Sequence, residues 1–157
     1  MTYDSTIEDL IDAVEAHVRD NIKTYVAAVN SAATKSTALQ DIREIEVSDQ
    51  DPLRSGKYPR IQLYVDTLEV EQVSTGFAQA TMAMIAVVAI NDGNAQRIRL
   101  LRYTEALRQL LRDYHTLGQA SFDVDPRGMV IQYFPTDPEV AVGVATIRFR
   151  VIKDIPA

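Results

Sequence analysis

Residues whose types and spacing could support catalysis are few in this 157-residue chain. Asp123 and Asp125 alternate onto one face of a short strand, where two neighbouring carboxylates would form a general acid–base pair. Charged strand residues just before a turn are the commoner reason for such a pair. There are two histidines, His17 and His115, and no cysteine. Disulfides, thiolate metal sites, cysteine nucleophiles and a His-rich metal site are therefore excluded. Asn91-Asp92-Gly93-Asn94 superficially resembles a calcium loop but lacks the alternating ligands and the closing bidentate glutamate. No Gly-rich phosphate loop, Walker A lysine or nucleophile elbow is present. The tyrosines are scattered, not interleaved with Lys or Arg as in a platform for single strands. The sequence thus predicts no catalytic residue, no cofactor and no metal.

Composition bounds the remaining classes. With 46% hydrophobic and 24% charged residues the chain reads as one ordinary globular domain over 1–157. A net charge of −6 argues against wrapping a nucleic-acid backbone. No apolar run approaches the roughly 20 residues of a membrane span, so no membrane partner is expected. The start, Met1–Asp9, is acidic and has no signal-peptide core. The missing cysteines suit a reducing cytoplasm.

The elements are organised around Gln79–Ile90, which has no charge, Gly or Pro. Met82, Met84, Ala86, Val88 and Ile90 share one face; Thr81, Ala83, Ile85, Val87 and Ala89 share the other. Both faces are apolar, as in a strand buried on both sides. Before it, strand alternation runs over 60–73, and Ser74-Thr75-Gly76 closes a hairpin. A short strand is expected over 42–47, with the surface loop Ser48–Lys57 after it.

Ser5-Thr6-Ile7-Glu8 reads as a capping box for a helix over about 6–29, with Ile7, Leu10, Ile11, Val14, Val18 and Ile22 on its apolar stripe. His17 sits at the edge of that stripe. A second helix, 95–114, follows the turn at Asn91–Asn94. Strands are expected at 121–125, 129–134 and 140–152. In the last, the large residues switch parity between Val144 and Ile147, which implies a bulge near Ala145 or a change of packing environment. The expected fold is α+β: a mainly antiparallel sheet with two long amphipathic helices packed on one face.

Two features point to assembly. The face carrying Ala83, Val87, Ala89, Ala141 and Gly143 is small and apolar, and a monomer would leave it exposed. The first helix, from Asp4 to Asp20, has six acids and one arginine, net −5; Arg97 to Asp113 has five arginines and two acids, net +3. Two solvated faces explain this blandly; charge pairing between subunits is the sharper reading.

The pattern as a whole resembles the tail terminators, or tail-completion proteins, of long-tailed bacteriophages. The resemblance lies in the acidic first helix, Tyr58-Pro59-Arg60-Ile61 opening a strand, the apolar strand Ala80–Ile90, Tyr103-Thr104-Glu105-Ala106-Leu107-Arg108, and Tyr114-His115-Thr116-Leu117-Gly118 before the closing strands. It implies a non-enzymatic virion protein at the tail–neck junction, present in the host cytoplasm during assembly. It implies a ring, typically a hexamer, that caps the tail tube, ends polymerisation of the tube protein and meets the head-side connector. DNA would pass through without specific binding. Interface candidates are Asp51, Arg54 and Lys57 on the loop, Ala83 and Val87 on the central strand, Arg108 and Arg112 on the second helix, and Arg148 and Arg150 on the last strand. The alternatives are a neck or head-completion protein of the same junction, the terminator of a contractile tail, a dimeric ligand-binding α+β domain, or an enzyme using the acid pair.

Overall fold

The computed structural model describes residues 6–32, 38–49, 56–91, 96–113, 116–117, 120–124, 130–134 and 142–156. Among them are the helices α1 (Thr6–Ala32) and α2 (Gln96–Asp113). The strands are β1 (Glu44–Val47), β2 (Arg60–Ser74), β3 (Phe77–Ile90), β4 (Thr116–Leu117), β5 (Ala120–Val124), β6 (Val130–Phe134) and β7 (Val142–Pro156). They form one sheet in the order β1-β2-β3-β7-β5-β4, with β6 also on β7. The fold is α+β, but the expected mainly antiparallel sheet needs a correction: β1 runs parallel to β2, so the sheet is mixed. The capping residue Ser5 lies outside the described residues.

β3 lies between β2 and β7 and is antiparallel to both. The β2–β3 hairpin turns at Gly76, whose φ of +96° is open to glycine and costly for other residues. β2 is bulged between Val65 and Thr67 and again between Gln72 and Ser74. The β3–β7 ladder runs from Phe77↔Pro156 to Ile90↔Gly143 without a shift. There is accordingly no bulge near Ala145. The change of parity in β7 reflects packing instead. Val144 belongs to a cluster with Ile85, Val87 and Ala89, whereas Ile147, Phe149 and Val151 join the main core.

That main core takes Met82, Met84, Ala86, Val88 and Ile90 from one face of β3. Leu10, Val14, Val18, Ile22 and Val26 of α1 join them, with Leu100, Tyr103, Leu107, Leu110 and Leu111 of α2. This is the 3.6-residue stripe of each helix meeting the two-residue alternation of the strand. Ile7, in the second residue of α1, packs farther along the sheet against Ala78, Ala80 and Ile155.

The connection after α1 is held by polar contacts. The Asn30 amide donates to the Leu39 carbonyl at 3.1 Å and its oxygen accepts from the Leu39 N–H at 2.7 Å. The Tyr103 hydroxyl accepts from the Gln40 N–H and donates to the Gln40 carbonyl, both at 2.8 Å. Between the helices, the Tyr25 hydroxyl donates to Asp113 at 2.8 Å.

His17 is buried on α1, with the Asn21 side-chain nitrogen 3.3 Å from its Nδ1. Burial pulls its pKa below the ordinary 6.5, against a smaller opposing pull from Asp20. The folded chain therefore binds this proton less readily than the unfolded one, and stability falls as pH drops through about 6.5. Urea midpoints at about pH 7 and about pH 5.5 should diverge more in the wild type than in His17→Gln; equal divergence would remove His17 from the acid response. A second test concerns the strand itself. Val88 is fully buried, and Val88→Asp would place an unpaired carboxylate there at a cost of several kcal/mol, against a usual total of about 5–15 kcal/mol. Loss of cooperative unfolding by circular dichroism is expected; a folded, soluble variant would contradict the central placement of β3.

Candidate assembly surfaces

The face of the sheet away from the main core divides into two parts, and the sequence distinguishes them poorly. The part near β1 is closed within the chain. Ile85, Val87, Ala89 and Val144 cluster there, with Tyr58 and Tyr64 packed against them. Val87 is only 3% exposed, so the expectation that it offers a flat surface to a neighbour is corrected. The residues that close this region flank or open β2, and small size on β3 alone did not reveal them. Ala83, farther along, is half-buried.

Arg60 is the unusual member of this region. It is 1% exposed, and its register partners are Ala89 on β3 and Glu44 on the parallel β1. Its Nη2 lies 3.4 Å from Glu44 Oε2, and its guanidinium stands 4.7 Å from the Tyr58 ring centre. Next along, Gln62 is equally buried and donates to the Ser48 carbonyl at 2.9 Å. Backbone bonds from Arg43 to Pro59 and from Ser48 to Leu63, both 2.9 Å, fasten the two ends of β1. A buried cation needs a charged partner and stacked cover. The signal that could have found it is the alternation Glu44, Ile45, Glu46, Val47 set beside Arg60, Ile61, Gln62, Leu63.

The other expected interface residues fall into three groups. Asp51 and Arg54 lie outside the described residues, and Lys57 is exposed. On α2, Arg108 donates to both carboxylate oxygens of Glu105 at 2.9 and 2.8 Å, within its own helix. That bond holds the Glu105 carboxyl below its usual range and raises the Arg108 guanidinium. At 32% and 38% side-chain exposure the pair is a helix-surface contact, worth roughly 0.3–0.5 kcal/mol. Arg112 is exposed in the last turn, where the helix dipole favours a cation. Arg148 and Arg150 are exposed on the back of β7.

The rest of the back face is open. Asp66 through Ser74 of β2 is exposed at every position, beyond the end of β1 at Leu63. Large apolar side chains stand out on the hairpin: Leu68, Val70, Val73 and Phe77, between 44% and 64% exposed.

The chemical candidates gain little from the geometry. Asp123 lies in register with Arg150, and Asp125 is outside the described residues, as are Asp92, Gly93 and Asn94. Among the described residues no group of three His, Asp or Glu is placed to hold a metal ion, and no helix is long and apolar enough to cross a membrane. A shallow hollow lined by Asn21, Thr24, Tyr25 and Ala28 is built from α1 alone, without the convergent groups of a ligand site.

Gly56 reports on the Arg60 arrangement. Its φ is +152°, and a Cβ there would sit 2.2 Å from Arg60 Nη2. The guanidinium is enclosed, so it cannot swing aside cheaply. Gly56→Ala should lower stability by about 1–3 kcal/mol, read as a lower urea midpoint at unchanged slope. An unchanged midpoint would show that Arg60 is not pinned against Gly56.

No protein-family model matches this chain, and no curated protein matches it significantly, so its function is inferred from its residue pattern, fold and surfaces.

Proposed function

We propose that this is a structural, non-enzymatic virion protein of a long-tailed bacteriophage. It assembles as a ring, a hexamer in the first instance, that caps the tail tube, ends its polymerisation and joins the tail to the head-side connector. The residue pattern of the acidic first helix, the Tyr58-Pro59-Arg60-Ile61 strand start and the apolar strand up to Ile90 suggests the family.

One structural observation carries the assembly part of this reading: the outer half of the β2–β3 hairpin. A strand of 15 residues reaches roughly 50 Å at about 3.3 Å per residue, more than this core encloses. Its inner end, Arg60–Leu63, is buried, and its outer end is exposed on both faces. Leu68 and Val70 continue the parity of the main-core face, paired with Met82 and Ala80, while Phe77 stands on the opposite face. Apolar side chains on both faces of a projecting hairpin favour a protein partner. A heterologous contact of this kind repeats from copy to copy and closes into a ring when its rotation closes. The net charge of −6 suits a channel through which DNA slides rather than sticks.

A phage deleted for this chain provides the test. Over-long tails, or separated heads and tails, are the expected result in electron micrographs. Tails of normal length beside leaking heads would reject the terminator role in favour of a neck or head-completion protein.

A further inference from the structure

The side of the hairpin that faces the helices has an uncovered lane. β2 from Val65 to Gln72 spans roughly 20 Å at about 3.3 Å per residue. Val65 still packs against the main core. Beyond it Leu68 and Val70, on the same face, are 44% and 55% exposed. Their register partners on β3, Met82 and Ala80, are fully buried, so the cover stops between β3 and β2. That cover includes the start of α1, where Ile7 packs against Ala78, Ala80 and Ile155. The lane is floored by β2 and walled on one side by α1.

The wall is acidic. Glu8, Asp12, Glu15 and Arg19 recur at spacings of four, three and four, so they share one flank of α1. Arg19 marks where that flank points: it pairs with Glu15 and donates to the Ile45 carbonyl of β1 at 2.9 Å. β1 lies beyond β2 in the sheet and ends beside Leu63. Toward the start of α1 the same flank overlooks the outer half of β2, with Glu8 and Asp12 both exposed. Among the described residues no ion pair engages either of them. Lys153, the cation on this face of the sheet beside Ala80, stands two strands in, on β7.

We infer that this lane takes an amphipathic helix of another protein, about four turns long, with its apolar stripe on Leu68 and Val70 and lysines or arginines beside that stripe. The floor calls for apolar contact and the wall for positive charge. A helix fits because this face of the sheet already receives two helices, and the lane continues that layer beside α1. A strand added to the edge is disfavoured: β2 is bulged at Val65/Thr67 and Gln72/Ser74 and carries Asp66, Glu69 and Glu71. A nucleic acid would be repelled by Glu8 and Asp12. A second copy offers no such helix among the described residues. Its α1 is acidic, and its α2 buries Leu100, Leu107 and Leu111 in its own core and leaves Leu101 as the large apolar residue outward. Leu68 and Val70 supply the contact; the acids select and orient the partner.

This inference rests on the assembly reading above and deepens it. The helix side of the hairpin goes to a tail-side or head-side partner, and Phe77, on the opposite face, stays available for contact between copies. The probe is a labelled amphipathic Lys/Leu peptide, about 21 Å long as a helix of about 14 residues, followed by fluorescence anisotropy beside a Glu/Leu peptide of equal length. The wild type should bind the Lys/Leu peptide at least about tenfold more tightly than the Glu/Leu peptide, and less tightly as salt is raised. Leu68→Ser/Val70→Ser and Glu8→Lys/Asp12→Lys should each weaken binding at least about tenfold while keeping the wild-type circular dichroism. Asp12→Lys alone serves if the charge-reversed double variant fails to fold. Asp41→Lys/Asp49→Lys changes the net charge equally at exposed sites outside the lane and should bind as the wild type does. Unchanged binding by the Leu68/Val70 variant or by the Glu8/Asp12 variant overturns the inference. So does an equal loss in the Asp41/Asp49 variant, which would show attraction to net charge alone. A wild type that ignores the peptide but self-associates through Leu68 and Val70 would give the lane to a second copy and overturn it too. If the peptide test fails while the deleted phage still makes over-long tails, the junction role stands and only this surface falls.

Discussion

Everything in this fold depends on β3 being paired along both edges. Its register with β7 is unbroken over 14 residue pairs, and β2 follows its other edge from Arg60 to Ser74. A strand so held cannot slip, since a shift of one residue would turn Met82, Met84 and Val88 away from the helices and bring Gln79 and Thr81 toward them. The faces are consequently fixed for β2 and β7 too. The one place where the chain relaxes this constraint is the bulge at Val65/Thr67, close to where β2 ceases to be buried.

The apolar run Gln79–Ile90 made β3 legible in the sequence, because a strand that is apolar on both faces must be covered on both. The helical stripes were equally legible, since Val14, Val18 and Ile22 or Leu100, Leu107 and Leu111 recur at helical spacing. The direction of β1 was not legible. Four residues carry no information about whether their neighbour runs parallel, and the backbone bonds that decide it come from Arg43 and Ser48, outside the strand. Thr116–Leu117 is too short for any periodicity. The parity change in β7 was visible but ambiguous. A bulge and a change of surroundings leave the same trace in sequence, and only the unbroken ladder separates them.

The surface residues were the hardest to read, for a common reason. Small size on β3 does not reveal whether the chain itself covers the position. Val87 and Ala83 look alike on one face of one strand, yet Val87 is enclosed beside Tyr58 and Tyr64 and Ala83 remains half-open. Charge is similarly silent about partners. The basic character of α2 suggested pairing with another subunit, but Arg108 is committed to Glu105 three residues earlier. Meanwhile Arg60, an ordinary arginine at a strand start, is among the most buried large side chains described. Its partner Glu44 comes from a strand whose direction the sequence did not disclose.

Those two limits bear on where assembly energy would reside. The helices bury their apolar stripes against the sheet and leave outward charges that are locally satisfied or solvated. Such surfaces contribute little to association. The hairpin differs because its large apolar residues and its charges stay exposed, even though Ile7 of α1 packs on the neighbouring Ala78 and Ala80. Folding leaves them exposed at some cost in solubility, and a monomer gains nothing from Leu68, Val70 or Phe77 there. A second chain covering them converts that exposure into contact. The bulged, charged edge of β2 at the same time discourages strand addition, which would otherwise be the easiest and least specific contact for such a hairpin to make.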